Sequence, residues 1–336
     1  MIGKVLAAAL AASLIAGAAL ADPIDDLLAG KTDPLTYDFG QLRDQPDADA
    51  WLKAAEGRVQ RDLLRRRGIA DDVAWKDARP TGCWTEAEQA LLRGVASARK
   101  VKTAADWSRA NAEAQGLEAK RQSVQRILFS GEASPYEQLN GVARRLKMAR
   151  EAKDPILAEL FRRNAEDNFA RMSIGFSARH FLAPQASDAA LDLYDAKADR
   201  EICLIDEANL VWLKKTIAER GWFRISRDGQ QADDAARNLV QHADDDPAFQ
   251  QRMLAVLEAE LAAKETTASG YAYLYDRVAV NTGKPQRYAT QGRCAGPGDW
   301  RADTLEDPDA VEARRLAVGI DWPMKDYVAR MNSFCR

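Results

Sequence analysis

Apolar residues recur at helical spacing along almost the whole chain, and this periodicity constrains the fold more than any other feature. In residues 47–66, for example, Trp51, Leu52, Ala55 and Val59 form one apolar stripe. The same pattern predicts further helices near 85–95, 104–129, 134–148, 155–169, 204–221, 232–243, 247–261, 271–283 and 309–333. Strand-like patterns are scarce. The sequence therefore predicts an all-α fold of helical hairpins, stacked into a bundle or short solenoid with few or no strands.

Capping residues mark several of the predicted helix starts. Thr85, with Glu88 three residues later, has the spacing of a capping box. Asp154-Pro155 and Asp246-Pro247 each combine an N-cap aspartate with a proline at the first helical position. Ser134-Pro135 is predicted to open another helix. These four points fix where the chain enters its helices.

The N-terminus has the three parts of a secretion signal. Lys4 provides the positive charge, Val5 to Leu20 is apolar, and Ala19-Leu20-Ala21 offers small residues for cleavage. The apolar stretch of 16 residues is shorter than the roughly 20 needed to span a bilayer, although an uncleaved anchor is the alternative. We expect cleavage after Ala21, no membrane insertion afterwards, and a periplasmic or secreted protein.

Four cysteines suit such an oxidising location. They allow three disulfide pairings, and the sequence does not choose among them. We favour Cys294–Cys335, because both flank the C-terminal segment, which leaves Cys83–Cys203 as the second bond. No C-x-x-C pair is present and the chain has two histidines, so we predict neither a metal site nor a cofactor.

The bulk composition limits the classes of partner. A hydrophobic content of 46% and a charged content of 29% suit a globular chain with a substantial core. A net charge of −3 provides no general attraction to nucleic acid, so we predict no nucleic-acid partner. A polar small molecule or a protein partner is left open.

The pattern divides the chain into four predicted parts. Residues 291–308 are rich in Gly, Pro and Asp and are predicted to form a loop, and the final helices are interrupted at Trp322-Pro323. The predicted parts are a signal peptide (1–21), an N-terminal helical region (22–150), a helical domain (151–295) and a C-terminal helical tail (296–336).

Three short motifs follow one another in the predicted helical domain. They are QHxD at 241–244, YxYLxDRV at 271–278 and PQxYxTQ at 285–291. In this order they resemble an uncharacterised bacterial family, a domain of unknown function (DUF 6624-like), over roughly residues 153–291. Glu166-Asp167-Asn168 with Arg171, and Gly221-Trp222, resemble earlier landmarks of that family. The resemblance indicates which positions belong to the family's motifs, and it implies no established reaction.

This chain departs from the family pattern at three positions. Asn168 stands where the family usually has Gln, Phe223 where it has Pro, and Ala289 where it has Gly. The change at 289 matters most, since alanine fits poorly if that position requires a positive φ or close approach to a ligand.

His242 is the most chemically versatile residue of these motifs. It lies at the end of a predicted helix and just before Asp244, Asp245 and Asp246, an environment that favours the imidazolium form. It could act as a general acid or hold an anionic group. The alternative is that His242 caps its own helix and pairs with a neighbouring acid.

The charged residues of the motifs have a structural alternative as well. Asp276 and Arg277 point about 100° apart on a helix, so each must find a partner elsewhere. Asp167 and Arg171 are spaced i, i+4 and can pair on one helix face. All four could simply form a buried ion-pair network that fixes how two helices cross.

The polar segment 286–291 offers donors and acceptors that could orient a ligand, or could satisfy helix termini. No nucleophile elbow, zinc-binding HExxH motif, phosphate-binding loop or dinucleotide fingerprint is present. The first hypothesis is therefore that the C-terminal domain binds a polar ligand or a protein partner. The second is a hydrolase-like enzyme with His242 as acid/base and Asp276 or Asp244 as the orienting carboxylate, and the third is a structural scaffold. The candidate catalytic residues are His242, Asp276 and Arg277, and the candidate ligand-binding residues are Gln241, Asp244, Gln286, Tyr288, Gln291, Trp222, Asp167 and Arg171.

Overall fold

A computed structural model describes residues 22–75, 78, 80–134, 136–174, 182 and 185–335. The predicted signal segment lies outside these ranges, and so does Pro135. Within them the chain is predominantly α-helical, with two short strands. The prediction of an all-α fold is confirmed.

Thirteen α-helices are described within these ranges. They are α1 (Pro23–Leu28), α2 (Ala48–Arg66), α3 (Glu86–Arg99), α4 (Ala104–Ser130), α5 (Asn140–Glu151), α6 (Pro155–Met172), α7 (Asp188–Arg220), α8 (Ile225–Asp228), α9 (Gln230–Gln241), α10 (Pro247–Ala262), α11 (Ala268–Asn281), α12 (Val311–Ala317) and α13 (Met324–Asn332). Short 3-10 helices span Phe39–Asp44 and Glu137–Leu139. The strands are β1 (Gly292–Gly296) and β2 (Asp299–Ala302).

The predicted caps are confirmed at three of the four helix starts. Thr85 and Glu88 form the reciprocal capping box of α3. Asp154 accepts from the N–H of Ile156, and Asp246 accepts from the N–H of Phe249, each followed by its proline. The fourth prediction was wrong, because α5 begins at Asn140 after a short 3-10 turn.

The segment predicted as a loop between 291 and 308 contains the two strands instead. β1 and β2 pair antiparallel, with Cys294 opposite Trp300 and an irregularity between Cys294 and Gly296. Four of the five β1 residues are exposed, so the sequence shows no apolar alternation there. Trp300 packs on Tyr327 of α13 with ring centroids 5.5 Å apart, which holds the hairpin against the tail.

Helix α7 connects the hydrophobic cores of the molecule. With 33 residues it is about 50 Å long, enough to cross an entire domain. Its first turns contribute Leu191 and Tyr194 to a core shared with α4, α5 and α6. Its later turns contribute Leu213 to a second core formed with α6, α9, α10 and α11. The N-terminal helices α1 to α3 enclose a third core, against which Leu193 of α7 packs.

Both predicted disulfides are present. Cys83–Cys203 ties the segment before α3 to the middle of α7, and Cys294–Cys335 ties β1 to the residues after α13. Each closes a long loop, 120 and 41 residues respectively, so each restricts the unfolded chain substantially. A search of the described helices for a membrane-spanning candidate finds none with the necessary length and apolarity.

Candidate functional site

An aspartate–histidine pair forms where α6 and α9 pack together. His242 follows the last turn of α9, as predicted, and its backbone N–H donates to the carbonyl of Asn238. Its Nδ1 lies 2.9 Å from Oδ2 and 3.0 Å from Oδ1 of Asp167 on α6. Only 1% of the Asp167 side chain is exposed, so this carboxylate needs partners. We therefore assign the ring proton to Nδ1, donated to Asp167.

Arg171 links this pair to a second carboxylate. Its Nε donates to Oδ1 of Asp167 at 3.0 Å, which confirms the predicted i, i+4 pairing. Its Nη2 lies 2.6 Å from both carboxylate oxygens of Asp206 on α7. Nε also lies 3.0 Å from Nδ1 of His242. Since both atoms carry protons in our assignment, this last contact is a consequence of their shared acceptor and not a hydrogen bond.

The cluster holds two carboxylates against one guanidinium, so one additional proton makes it neutral. Burial favours a raised pKa for Asp167, but the hydrogen bond and charge of His242 and the charge of Arg171 lower this pKa below its usual value. For Asp206, burial outweighs the opposing effect of Arg171 and raises the pKa to about 7. The proximity of Asp167 and Asp244 adds to that rise. Asp206 is therefore a carboxyl group that can hold a proton near neutral pH.

A cavity of about 130 Å³ adjoins the cluster on the α7 side. It is lined by His242 and Asp206, by four further acids and by apolar and cysteine side chains; these other residues are Asp199, Glu207, Asp244, Asp245, Ile202, Leu210, Ala243 and Cys203. Within the described ranges, Nε2 of His242 has no hydrogen-bond partner. The second ring nitrogen is thus the one that can exchange protons with a molecule in the cavity.

Two groups of side chains in this region have ligand atoms close enough for a metal ion. Asp167, Asp206 and His242 form one, but Arg171 contacts the same carboxylates and would oppose a cation. The second group includes Cys83 and Cys203, whose sulfurs are joined in a disulfide. The imidazole and carboxylates of the first group are of the types that bind divalent metals, but the carboxylates are already paired with Arg171. In the second group the two sulfurs are not available as thiolates.

A different group of predicted residues forms a hydrogen-bonded cluster around Asp276. This fully buried carboxylate accepts from the N–H groups of Arg287 (2.8 Å), Tyr288 (3.1 Å) and Thr290 (2.9 Å). The hydroxyl of Thr290 donates to it as well, at 3.0 Å. Burial raises the pKa of Asp276, and these hydrogen bonds oppose the rise. Asp276 thus folds the PQxYxTQ segment and does not orient His242, contrary to one of our two predictions for that carboxylate.

The two glutamines of the same segment complete the hydrogen-bonded cluster around Asp276. Gln286 is fully buried, donates to the carbonyls of Gln291 and Asp303, and accepts from the N–H of Gln291. Between them Ala289 adopts φ +53°, a left-handed conformation that favours glycine. The family's glycine at this position therefore has a backbone explanation, and no ligand is needed to account for it.

The remaining predicted residues lie between or away from these clusters. Asp244 lines the cavity, and its Oδ1 is 3.7 Å from Nε of Arg277. It accepts from Gln250 and does not contact the ring of His242, so the second prediction for the orienting carboxylate was also wrong. The backbone carbonyl of Gln241 accepts from Gln250, and Nε1 of Trp222 donates to buried Asp233 at 2.8 Å.

Asp206 is the residue that sequence reasoning missed. Its helix is 33 residues long, and Asp206 stands among several acids there, so its type alone gives no signal. Its spacing does give one: it follows Cys203 by three residues and therefore lies on the helix face fixed by the disulfide.

Residues 175–334 match the model of a family of unknown function, DUF6624. The predicted resemblance is thereby confirmed, but the match begins at 175 and not at about 153, and it extends further into the tail than we predicted. Comparisons with curated proteins and with solved structures give no significant match. His242 and Asp206 lie within the matched span, whereas Asp167 and Arg171 precede it.

Proposed function

We propose that this chain, which matches the DUF6624 family over residues 175–334, is an exported enzyme that hydrolyses a small polar substrate at His242. The observation that carries the proposal is the 2.9 Å contact between His242 and buried Asp167 at the edge of a cavity. An imidazole held through Nδ1 by a carboxylate can accept and return a proton at Nε2.

The cluster provides a base and an acid for one reaction. His242 takes a proton from a water molecule, which attacks the electrophilic atom of the substrate, while Asp167 stabilises the imidazolium that forms. The bond to the leaving group breaks as Asp206 transfers its proton to that group. The proton on His242 then returns to Asp206, so the overall change is the addition of one water across the broken bond.

Water is the nucleophile that fits the cavity best. Its described wall has no serine or threonine, and Cys203 is held in a disulfide. The acidic side chains of the wall would repel an anionic group, so the reacting part of the substrate is neutral or cationic. A volume of about 130 Å³ admits only a few non-hydrogen atoms of that substrate.

The disulfides and the predicted signal peptide support the exported location that we propose. Two disulfides persist in the periplasm or outside the cell and are rare in a reducing cytoplasm. The signal peptide predicted for residues 1–21 would direct the chain there.

The histidine pair can be tested without knowing the substrate. The chain has two histidines, so a ¹⁵N-histidine NMR spectrum contains two ring systems, and His180→Gln assigns them. We expect the neutral form of His242 to carry its proton on Nδ1, and Asp167→Asn to abolish that preference. A ring protonated on Nε2 in the wild-type protein would contradict the assignment.

The reaction class is tested with a panel of nitrophenyl esters, amides, glycosides and phosphates. His242→Gln is expected to lower kcat at least about 100-fold, the usual contribution of an acid–base residue. His180→Gln is the control for loss of a histidine. Hydrolysis of no member of the panel, or equal hydrolysis by His242→Gln, would refute the enzymatic proposal and leave ligand binding or a scaffold role.

A further inference from the structure

A second cavity lies away from His242, between α3, α4, α7 and residues 34–39. Its volume is about 710 Å³, within the range of sites that hold small organic ligands. The proposed reaction uses none of its residues. Its walls join the N-terminal helices to the region that matches the family.

A buried amide in this wall lacks an intramolecular partner. Gln89 on α3 is only 8% exposed, yet its side chain makes no hydrogen bond to any residue that the structure describes. Gln89 lines this cavity and a neighbouring one of about 420 Å³. The amide nitrogen and oxygen of Gln89 are not among the fully enclosed polar atoms that lack a partner, so they are accessible from the cavity and can bond to a ligand there.

The α7 wall contributes positive charge. Neither Lys197 nor Arg200 forms an ion pair within 4.0 Å in the described part of the chain, although the charge of Lys197 helps to lower the pKa of Glu118. Nε of Arg200 is buried without a hydrogen-bond partner. The acids of the wall differ in this respect. Glu118 is paired with Arg121 at 2.9 Å, and Asp38 accepts from a backbone N–H at 2.9 Å.

Glu86 is the remaining acid of the wall, and it occupies the first turn of α3, where the helix dipole stabilises a negative charge. The charged and amide groups that line the cavity without a direct partner are therefore Lys197, Arg200, Gln89 and the exposed carboxylate of Glu86, and the two cations outnumber that carboxylate. A ligand that satisfies them must offer hydrogen-bond acceptors and negative charge.

Aromatic side chains form another part of the wall. Tyr37 and Phe39 meet edge to face with ring centroids 5.1 Å apart, and Phe39 lies 6.2 Å from Trp107. Tyr37 is half-buried, so part of its ring can contact a bound molecule. Such a surface favours a ligand that contains a ring.

We propose that this cavity binds a ring-containing organic anion, whose anionic group pairs with Arg200 and Lys197 and whose polar substituent bonds to Gln89. The site is separate from the cluster at His242, so refuting one of the two proposals does not refute the other.

The probe is phenyl phosphate, titrated by calorimetry or by ligand-detected NMR, with neutral benzyl alcohol as its uncharged counterpart. Wild type is expected to bind phenyl phosphate, and Arg200→Gln to bind it about tenfold more weakly, the effect of losing one charged contact. Arg109→Gln removes an exposed arginine that does not line the cavity and should bind as wild type does. His242→Gln should also bind normally, since its site is elsewhere.

Three results would overturn the proposal: no binding of phenyl phosphate at millimolar concentration, equal affinity in Arg200→Gln, or equal affinity for benzyl alcohol. A second measurement needs no ligand. Gln89→Leu replaces an amide without a partner by an apolar group of similar size, so its melting temperature should equal or exceed that of wild type. A decrease of several degrees would mean that Gln89 already has a structural partner, and would overturn the argument as well.

Discussion

Replacing Asp276 by asparagine should destabilise the protein strongly while leaving the proposed chemistry at His242 intact. Oδ1 accepts from the N–H groups of Arg287 and Tyr288, and Oδ2 accepts from Tyr288 and from both the N–H and the hydroxyl of Thr290. An asparagine side chain has the same shape, but its NH₂ group faces donors on one side. At least two charge-assisted hydrogen bonds are lost, each contributing about 1.5–3 kcal/mol, so we expect a loss of about 3–6 kcal/mol.

Urea denaturation followed by circular dichroism measures this loss, with Asp309→Asn as the control because Asp309 is exposed. A decrease of less than about 1 kcal/mol in the free energy of unfolding of Asp276→Asn would refute the description of this residue as the centre of the hydrogen-bonded cluster. Activity per folded molecule, for any substrate found in the nitrophenyl panel, should stay within about twofold of wild type because Asp276 does not contact His242. A large decrease in that activity would instead assign Asp276 to the chemistry.

Further substitutions test the backbone and charge arguments separately. Ala289→Gly should change stability by less than about 1 kcal/mol, because relief of the left-handed φ is offset by the loss of a buried methyl group; Ala289→Val should lose at least about 2 kcal/mol in the same urea assay. Gly292→Ala should destabilise the hairpin by about 1–3 kcal/mol in that assay, since an added Cβ would overlap the Trp300 ring and the backbone beside it. The raised pKa of Asp206 means that the folded state holds a proton which the unfolded state releases, so stability should fall as pH rises from about 4 to about 7. Asp206→Asn should flatten this dependence in urea titrations across that pH range, and an unchanged slope would contradict the pKa.

Local features of the fold could be predicted from the sequence, and features that depend on distant contacts could not. The capping box and the Asp-Pro starts act within one helical turn, so Thr85 and Asp154 were predicted correctly. Ser134-Pro135 has a similar composition, but the chain passes through a 3-10 turn before α5 begins. The hairpin at 292–302 was missed because its residues are mostly exposed and its support comes from α13.

The candidate site shows the same limit. His242 was predicted as the likeliest acid–base group from its type and its place at a helix end, but its carboxylate partner was predicted among the near acids. Asp167 is 75 positions earlier, and only the packing of α6 against α9 brings the two together. Local spacing showed that Asp167 could pair with Arg171, and it contained no information on the approach of a third helix with Asp206.

The difference between Asp167 and Asp276 is the reason that we propose chemistry at one buried aspartate and assign a structural role to the other. The oxygens of Asp276 accept mainly from backbone N–H groups, which do not titrate. These groups belong to the loop that Asp276 holds and do not connect the carboxylate to another titratable side chain. The donors to Asp167 are the side chains of His242 and Arg171. The histidine has a second titratable nitrogen, and the arginine continues to Asp206 at the cavity wall. Only in this second arrangement can a proton gained at the cavity be balanced by a buried charge, which is the property that acid–base catalysis requires.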